Sequence, residues 1–284
     1  MAQTARAETE SSGRISSRAF KRLAAFIEGE TGIKMPDSKR SLVEGRLIRS
    51  LRDTGVASID EYCDHILSDQ AKPEEVWQLI NAMTTNKTDF FRESHHFTYL
   101  RETILPEFAR ENLGLVRCWS AAASTGMEAY TMAMVMDDFI GASGALDYEI
   151  LATDIDTSVL AEAQRGVYSL ESIEPVPRSL RSKYVRRAND PKRQEVRIVP
   201  ELRQKVCFAR MNLMDDDYAV GKPLDLIICR NVLIYFEKAV QARVLSQLCR
   251  KLRRGGYLIL GHSETTMGLD LPIETVSNTV FRKL

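Results

Sequence analysis

The sequence has little of what a zinc site, a disulfide framework or a membrane anchor requires. Its 284 residues include five cysteines and four histidines. The cysteines are odd in number and scattered without a C-x-x-C pair, which argues against both metal binding and disulfide pairing. No stretch reaches the ~20 apolar residues that cross a bilayer, and the polar N-terminus lacks the apolar segment of a secretory signal. We therefore expect a cytoplasmic protein with reduced thiols and no metal.

The sequence also has no net charge, because 39 basic residues balance 39 acidic ones. This balance gives little support to nucleic-acid binding, which favours a large basic surface. Hydrophobic residues make up 44% of the chain and charged residues 27%, as in ordinary globular proteins. The length accommodates a catalytic domain together with an accessory one.

The first part of the chain carries only helical patterns. Residues 1–15 are small and polar, and we expect a disordered tail. Over residues 16–88 apolar side chains recur at three- and four-residue spacing, as in Phe20, Leu23 and Ile27. This spacing is typical of amphipathic helices and predicts an all-helical N-terminal domain.

Strands and helices alternate in the rest of the chain, residues 89–284. Short apolar strands are predicted at 115–121, 148–154, 224–229 and 257–261. Such alternation is typical of an α/β fold with a parallel sheet covered on both faces. Residues 171–210, with four prolines and two short alternating segments at 195–199 and 206–208, interrupt the pattern and predict an inserted antiparallel β-subdomain. Residues 279–282 are expected to form a terminal edge strand.

Small residues follow the first predicted strand, from Ser120 to Gly126. In a doubly wound sheet, ligands bind at the carboxyl ends of the strands, and small residues there let the backbone approach a ligand closely. The sequence is not G-x-G-x-x-G, so the dinucleotide-binding fingerprint is absent. A dehydrogenase that binds a pyrophosphate is therefore disfavoured.

The second strand ends in Asp154, and Asp156 follows two residues later. An acid at this position can accept hydrogen bonds from both hydroxyls of a ribose. The alternative is that either acid caps the helix that begins at Thr157. We assign the ribose to Asp154 and the cap to Asp156. S-adenosylmethionine presents a ribose of this kind without a pyrophosphate.

Two further polar segments border the same predicted crevice. Arg230 and Asn231 directly follow the strand 224–229, although a structural ion pair would also explain the arginine. The stretch 84–93 combines Asn, Thr and Arg with two phenylalanines at the junction of the two halves, where small-molecule pockets often form. Its alternative explanation is a helix cap at Thr88 on an apolar helix.

At these residues the sequence resembles bacterial chemotaxis receptor methyltransferases, the protein-glutamate O-methyltransferases of the CheR type. The resemblance spans residues 20–284, in the family's order. Its matching stretches are TTNKTDFFRESHHF at 84–97, WSAAASTGMEAYT at 119–131, ATDIDTSVLAEAQRGVY at 152–168, NL at 212–213, CRNVLIYF at 229–236 and GHSE at 261–264.

The resemblance implies a Rossmann-like S-adenosylmethionine-dependent methyltransferase domain, an N-terminal helical domain and an inserted antiparallel β-subdomain. It implies methyl esterification of glutamates on the cytoplasmic helices of chemotaxis receptors, with recruitment to membrane-bound receptor arrays and S-adenosylhomocysteine as product. Arg92 and Tyr235 would lie nearest the reacting groups. The implied cofactor contacts are Asn86, Thr88, Arg92, Glu128, Asp154, Asn212, Leu213, Arg230 and Asn231. The alternatives are a non-catalytic cofactor-binding signalling module and a methyltransferase acting on another acidic protein.

A predicted helix at 37–51 carries basic residues opposite an apolar stripe. A solvated helix face would explain the charges equally well, but the resemblance favours receptor docking by Arg46, Arg49 and Arg52. Two features depart from the family pattern. Gly126-Met127-Glu128-Ala129 replaces G-E-E-P, which affects the turn rather than the cofactor, and the loop 187–192 lacks a glycine, which disfavours tethering to a receptor pentapeptide.

Overall fold

The structure, a computed structural model, describes residues 13–144, 146–190 and 192–284. The predicted tail lies outside the described residues apart from its last three. Of these, Ile15 is buried among the apolar side chains of the first helices. The chain divides into two compact units. The first runs to Thr85 and includes Tyr235–Val240, and the second comprises Asn86–Ile234 and Gln241–Leu284.

The first unit is helical, as the spacing of its apolar residues predicts. Its core contains Phe20, Leu23, Ile27, Val43 and Leu47, all nearly inaccessible to solvent. A 3₁₀ turn precedes the second helix, and the serine hydroxyls before the first and third helices accept hydrogen bonds as N-caps. The helices are α1 (Ser17–Thr31), α2 (Arg40–Thr54), α3 (Ile59–Ile66) and α4 (Pro73–Met83).

The second unit is built on a seven-stranded sheet. Its strands are β1 (Leu115–Ala121), β2 (Asp147–Asp154), β6 (Val206–Arg210), β7 (Leu224–Cys229), β8 (Leu252–Leu260), β9 (Ile273–Ser277) and β10 (Val280–Lys283). Their order across the sheet is β6-β2-β1-β7-β8-β10-β9. Strands β6, β2, β1, β7 and β8 are parallel, and β10 is antiparallel to both neighbours.

Helices cover this sheet. A run of α-helix, π-helix and α-helix leads into β1, and its two α-helical parts are α5 (His95–Tyr99) and α6 (Leu105–Arg110), separated by a π segment at Leu100–Ile104. The remaining helices are α7 (Met127–Ser143), α8 (Thr157–Arg165), α9 (Arg178–Tyr184), α10 (Pro200–Arg203) and α11 (Lys238–Lys251). No helix among the described residues is both long and apolar enough to cross a membrane.

The small antiparallel sheet consists of β3 (Val167–Ser169), β5 (Glu195–Ile198) and β4 (Val185–Arg187), in that order. The strands that form this small sheet differ from those predicted at the beginning and at the end of the segment 171–210. The segment at 206–208 lies in the large sheet, where β6 pairs in parallel with β2. Strand β3 precedes residue 171 and joins the small sheet. A short alternating segment fits either sheet, and only long-range pairing decides between them.

The terminal strand also differs from the prediction. Strand β10 is not an edge strand, because β9 pairs with its outer side. The sequence of β9, with mostly exposed side chains, lacks the apolar pattern by which an edge strand would be recognised.

Candidate functional site

The turn between β1 and α7 is held in an unusual backbone conformation. Ala122, Ser124 and Gly126 have positive φ angles of 61°, 51° and 84°. A Cβ atom on Gly126 would lie 2.8 Å from the Cβ of Ala163 and 3.0 Å from the ring of Phe208. Only glycine fits there, because the turn packs tightly against Ala163 of α8 and Phe208 of β6. The turn lies where the sequence predicts it, between β1 and α7, and its close approach to a ligand stays a prediction.

Asp154 ends β2 beside this turn and is 7% exposed. Its Oδ2 accepts a hydrogen bond from the backbone N–H of Ser124 (2.8 Å), and its Oδ1 accepts one from that of Asp156 (3.0 Å). Burial raises the pKa of the Asp154 carboxyl, while the backbone N–H groups oppose this shift. The backbone N–H of Ile155 also favours the ionised form. The carboxylate retains acceptor capacity beyond these bonds, which a ribose hydroxyl could use.

Asp156 has the capping role that the sequence predicts. Its Oδ1 accepts hydrogen bonds from the N–H groups of Ser158 (2.8 Å) and Val159 (3.3 Å) at the start of α8. Oδ1 also accepts the Ser158 hydroxyl (2.7 Å), and Oδ2 accepts the side-chain amide of Asn86 (2.6 Å). One acid therefore organises the helix N-terminus and also binds the segment 86–93.

The segment 86–93 lies against the ends of β1 and β2. The Ser124 hydroxyl donates to the carbonyl of Asn86 (3.0 Å), and Phe90 is fully buried. Thr88 does not cap a helix, as the alternative explanation of this segment supposed, because helix α5 begins only at His95. Thr88 and Arg92 are half-buried here, and the Arg92 Nη1 donates to the carbonyl of Lys87 (2.9 Å).

A buried ion pair joins the end of β7 to α7. The Arg230 Nε donates to Glu128 Oε2 (2.8 Å), with side chains 2% and 10% exposed. The Ser120 hydroxyl donates to the other oxygen of Glu128 (2.7 Å). Arg230 Nη1 also donates to the carbonyl of Arg92 (2.7 Å). Arg230 therefore forms the structural ion pair that the sequence allowed as an alternative. Its bond to the carbonyl of Arg92 also fixes the backbone at that residue.

His96 completes this network and must be neutral. Arg230 Nη1 donates to its Nδ1 (3.0 Å), so the proton resides on Nε2, which donates to the hydroxyl of Thr279 (2.8 Å). Burial and then the Arg230 charge lower the pKa of His96 to about 3. The partners of His96 lie 134 and 183 residues away in the sequence, and no local pattern identifies them.

The remaining predicted cofactor residues lie at neighbouring strand ends. Asn231 follows β7 with φ at 59°, and its side-chain amide donates to Glu93 Oε1 (3.1 Å). Asn212 and Leu213 follow β6, and the preceding Met211 N–H donates to the carbonyl of Asp154 (3.0 Å). Leu213 is 8% exposed. The sheet thus brings together the predicted residues at the ends of β1, β2, β6 and β7.

Tyr235 and the arginines predicted to dock the receptor belong to the first unit. Tyr235 is half-buried, with the Lys39 ammonium 5.9 Å from its ring centre. The Arg46 guanidinium donates to the carbonyls of Met83 and Thr84, each at 2.7 Å, and so caps the C-terminus of α4. Burial lowers the Arg46 pKa.

Arg49 and Arg52 follow Arg46 on α2. Arg49 is exposed on this helix, and the side chain of Arg52 lies outside the described residues. The predicted basic face is therefore not uniform, because Arg46 has a structural role within the unit. In the described part of the chain no three His, Cys, Asp or Glu side chains form a metal-binding group.

The residues at this edge fit a nucleoside cofactor. A buried acid lies beside a turn of small residues, and a parallel sheet without the pyrophosphate-binding fingerprint positions both. This combination of fold and site defines the class of S-adenosylmethionine-dependent methyltransferases.

Comparison with known proteins identifies the family. Residues 86–281 match the family described as CheR methyltransferase, SAM binding domain, and residues 18–84 match CheR methyltransferase, all-alpha domain. The chain therefore belongs to the CheR methyltransferase family. It is an S-adenosylmethionine-dependent methyltransferase of chemotaxis, as its resemblance predicts.

Named relatives cover most of the chain. It is 40% identical over 253 residues to chemotaxis protein methyltransferase 2 of Pseudomonas aeruginosa, covering 88% of each chain. It is 38% identical over 263 residues to the chemotaxis protein methyltransferase of Escherichia coli, covering 92% of this chain and 89% of that one. The enzyme of Borreliella burgdorferi is 36% identical over 252 residues, covering 87% and 88%.

Proposed function

We propose that this chain esterifies glutamate side chains on the cytoplasmic helices of chemotaxis receptors, as a protein-glutamate O-methyltransferase. The observation that carries the proposal is the network that fastens the Arg92 segment to the strand ends. Asn86 binds Asp156, and Arg230 binds the carbonyl of Arg92. An arginine that can bind a carboxylate is thereby held at the edge of the sheet that carries the cofactor residues.

S-adenosylmethionine, when bound, supplies an electrophilic methyl group on a sulfonium centre. The residues proposed to hold it are Asp154 on the ribose, Asn212 and Leu213 beside the adenine, and Asn86, Thr88, Arg92, Glu128, Arg230 and Asn231 around the rest of the pocket. Glu128 retains lone pairs beyond its bonds to Ser120 and Arg230.

The chemistry at the acceptor requires no general base. A glutamate carboxyl has an ordinary pKa of about 4.3, so it is ionised at neutral pH. The task of the protein is to orient the carboxylate and exclude water. Arg92 has five N–H donors in a planar fork and can hold a carboxylate in two hydrogen bonds. Tyr235 would donate a hydrogen bond to the acceptor or shape its channel.

Replacing Arg92 with alanine should lower kcat about 100-fold, because the carboxylate loses a charge-assisted pair of hydrogen bonds near the reacting atoms. Arg92→Lys keeps the charge without the fork and should recover only part of the loss. Exposed Arg101, which pairs with Asp138 on the same unit, supplies a matched control in Arg101→Ala. Steady-state methylation of receptor-rich membranes measures the effect. Unchanged turnover in Arg92→Ala would remove Arg92 from the reaction.

For docking we propose the helical domain, residues 16–88, with its exposed basic face on α2. Arg49→Glu should raise KM for the receptor about tenfold and leave cofactor affinity unchanged, because exposed complementary charges govern encounter. Arg18→Glu, an exposed charge reversal on α1, is the control. Arg46→Glu should in addition destabilise the unit, since it removes the cap on α4. If Arg49→Glu lowers cofactor affinity instead, α2 does not act as a docking surface.

The protein is proposed to work in the cytoplasm, recruited to receptor arrays without a pentapeptide tether. Labelled methyl transfer into receptor-rich membranes, followed by release of methanol in base, tests the reaction. Base-labile label in the receptor band supports glutamate esterification. Base-stable label, or label in other acidic proteins, would indicate a different acceptor. Binding of the cofactor with no transfer at all would indicate a signalling module.

A further inference from the structure

Glu264 follows β8 and is 6% exposed, yet the mechanism above does not use it. Its carboxylate accepts four backbone N–H groups. Oε2 accepts those of Gly261 (2.6 Å) and Asn231 (3.0 Å), and Oε1 accepts those of Val232 (2.9 Å) and Leu233 (2.8 Å). Three of the four donors belong to the turn that directly follows Arg230. One side chain from the end of β8 therefore fixes the turn at the end of β7.

The two strand ends are closely packed. A Cβ atom on Gly261 would lie 2.8 Å from the backbone nitrogen of Asn231 and 2.7 Å from its Nδ2. Asn231 has φ at 59°, in the left-handed region that asparagine adopts more readily than most residues. The carboxylate of Glu264 joins the two strand ends through its four hydrogen bonds and so fixes the turn in this conformation.

The charge of Glu264 is balanced by backbone dipoles. In the described part of the chain no cationic side chain forms an ion pair with it. Burial raises the pKa of its carboxyl, and the four N–H donors oppose that shift. A buried carboxylate is costly unless its hydrogen bonds are satisfied, and here each oxygen accepts two. Because all four partners are N–H donors, the arrangement requires the carboxyl of Glu264 to be ionised.

Residues in contact with Glu264 also bind the segment that carries Arg92. The side-chain amide of Asn231 donates to Glu93 Oε1 (3.1 Å), and the N–H of His262 donates to Glu93 Oε2 (3.1 Å). Glu264 binds Asn231 directly, and His262 follows Gly261, which Glu264 also binds. A shift of the turn would therefore move Glu93 and its neighbour Arg92.

We propose that Glu264 is a positioning residue that sets cofactor affinity by holding the Arg230–Asn231 turn in its binding conformation. This inference rests on the proposed function, because it assigns Arg230 and Asn231 to the cofactor pocket. The role is distinct from general stabilisation. A supporting side chain that only stabilised the fold would change the unfolding midpoint and leave the affinity of the folded protein unchanged.

Glu264→Gln tests the proposal. The amide has the shape of the carboxylate, but its NH₂ group cannot accept hydrogen bonds from the two N–H donors that it faces. We expect the Kd for S-adenosylhomocysteine to rise tenfold or more, roughly the effect of one lost charge-assisted hydrogen bond. Calorimetry is done well below the unfolding midpoint. Glu274→Gln, at an exposed position on β9, is the matched control and should leave the Kd unchanged. Glu264→Asp keeps the charge and should fall between wild type and Glu264→Gln.

A lower unfolding midpoint with an unchanged Kd in Glu264→Gln would overturn the inference. If that variant does not fold, Glu264→Asp decides, and an unchanged Kd there has the same meaning. Failure of the proposed function has a different signature. A wild-type chain that binds S-adenosylhomocysteine but esterifies no receptor would defeat the proposed reaction and leave the role of Glu264 intact.

Discussion

Replacing Arg230 with methionine should lower the free energy of unfolding by about 3–5 kcal/mol, because removing one partner of a buried ion pair leaves the other charge uncompensated. Arg230 is 2% exposed in its side chain and binds Glu128, the carbonyl of Arg92 and Nδ1 of His96. Methionine fills a similar volume, so the change isolates the charge and its hydrogen bonds. Urea unfolding followed by circular dichroism measures the loss.

The double variant Glu128→Gln with Arg230→Met separates charge from packing. With both charges removed, much of the lost stability should return, because no uncompensated charge stays buried. Arg193→Met, which breaks an exposed pair with Glu195, should cost less than about 1 kcal/mol. A loss in Arg230→Met no larger than in Arg193→Met would contradict the structural role given to this network.

Replacing Asp154 with asparagine should raise the KM for S-adenosylmethionine about 100-fold, because the proposed ribose role gives this buried carboxylate two charge-assisted hydrogen bonds to the ribose hydroxyls. The amide has one acceptor oxygen and must already accept the N–H of Ser124 or of Asp156. Initial rates at varied cofactor concentration give the KM.

Asp216→Asn, at a fully exposed position, is the matched control for Asp154→Asn and should leave the KM unchanged. Thermal unfolding of Asp154→Asn should show a folded protein at the assay temperature, so that the KM reports binding. A KM within a factor of about two of wild type would contradict the ribose role of Asp154.

Local patterns in the sequence predict much of this structure. Helix α1 follows the three- and four-residue spacing of Phe20, Leu23 and Ile27, and all three are buried. The capping role of Asp156 follows from its position just before Thr157. Features of this kind depend on neighbours in the chain, which a sequence displays directly.

Long-range pairing explains what the sequence does not predict. Strand β6 has the same short alternation as β5, but it joins the large sheet through its pairing with β2. The four donors to Glu264 include three that lie 31 to 33 residues away. A lone acid after a strand gives no sign that it will accept backbone hydrogen bonds from another strand's turn.

The basic face of α2 shows a second feature that the sequence alone does not predict. The spacing of its arginines predicts one docking surface, but Arg46 donates to the C-terminus of α4 while Arg49 is exposed. Charge at helical spacing cannot distinguish a cation that binds a carbonyl from one that faces solvent. The docking proposal therefore depends on the exposed arginines of α2, such as Arg49, rather than on Arg46.

One pocket at the carboxyl edge of the large sheet is proposed to bind the cofactor through Asp154 and the segments joined to it. Titrating the wild-type chain with S-adenosylhomocysteine in a calorimeter tests this proposal. We expect saturable binding of one ligand per chain, reduced about 100-fold in Asp154→Asn. Wild-type and Asp154→Asn proteins that bind equally well, or no heat from either, would contradict it.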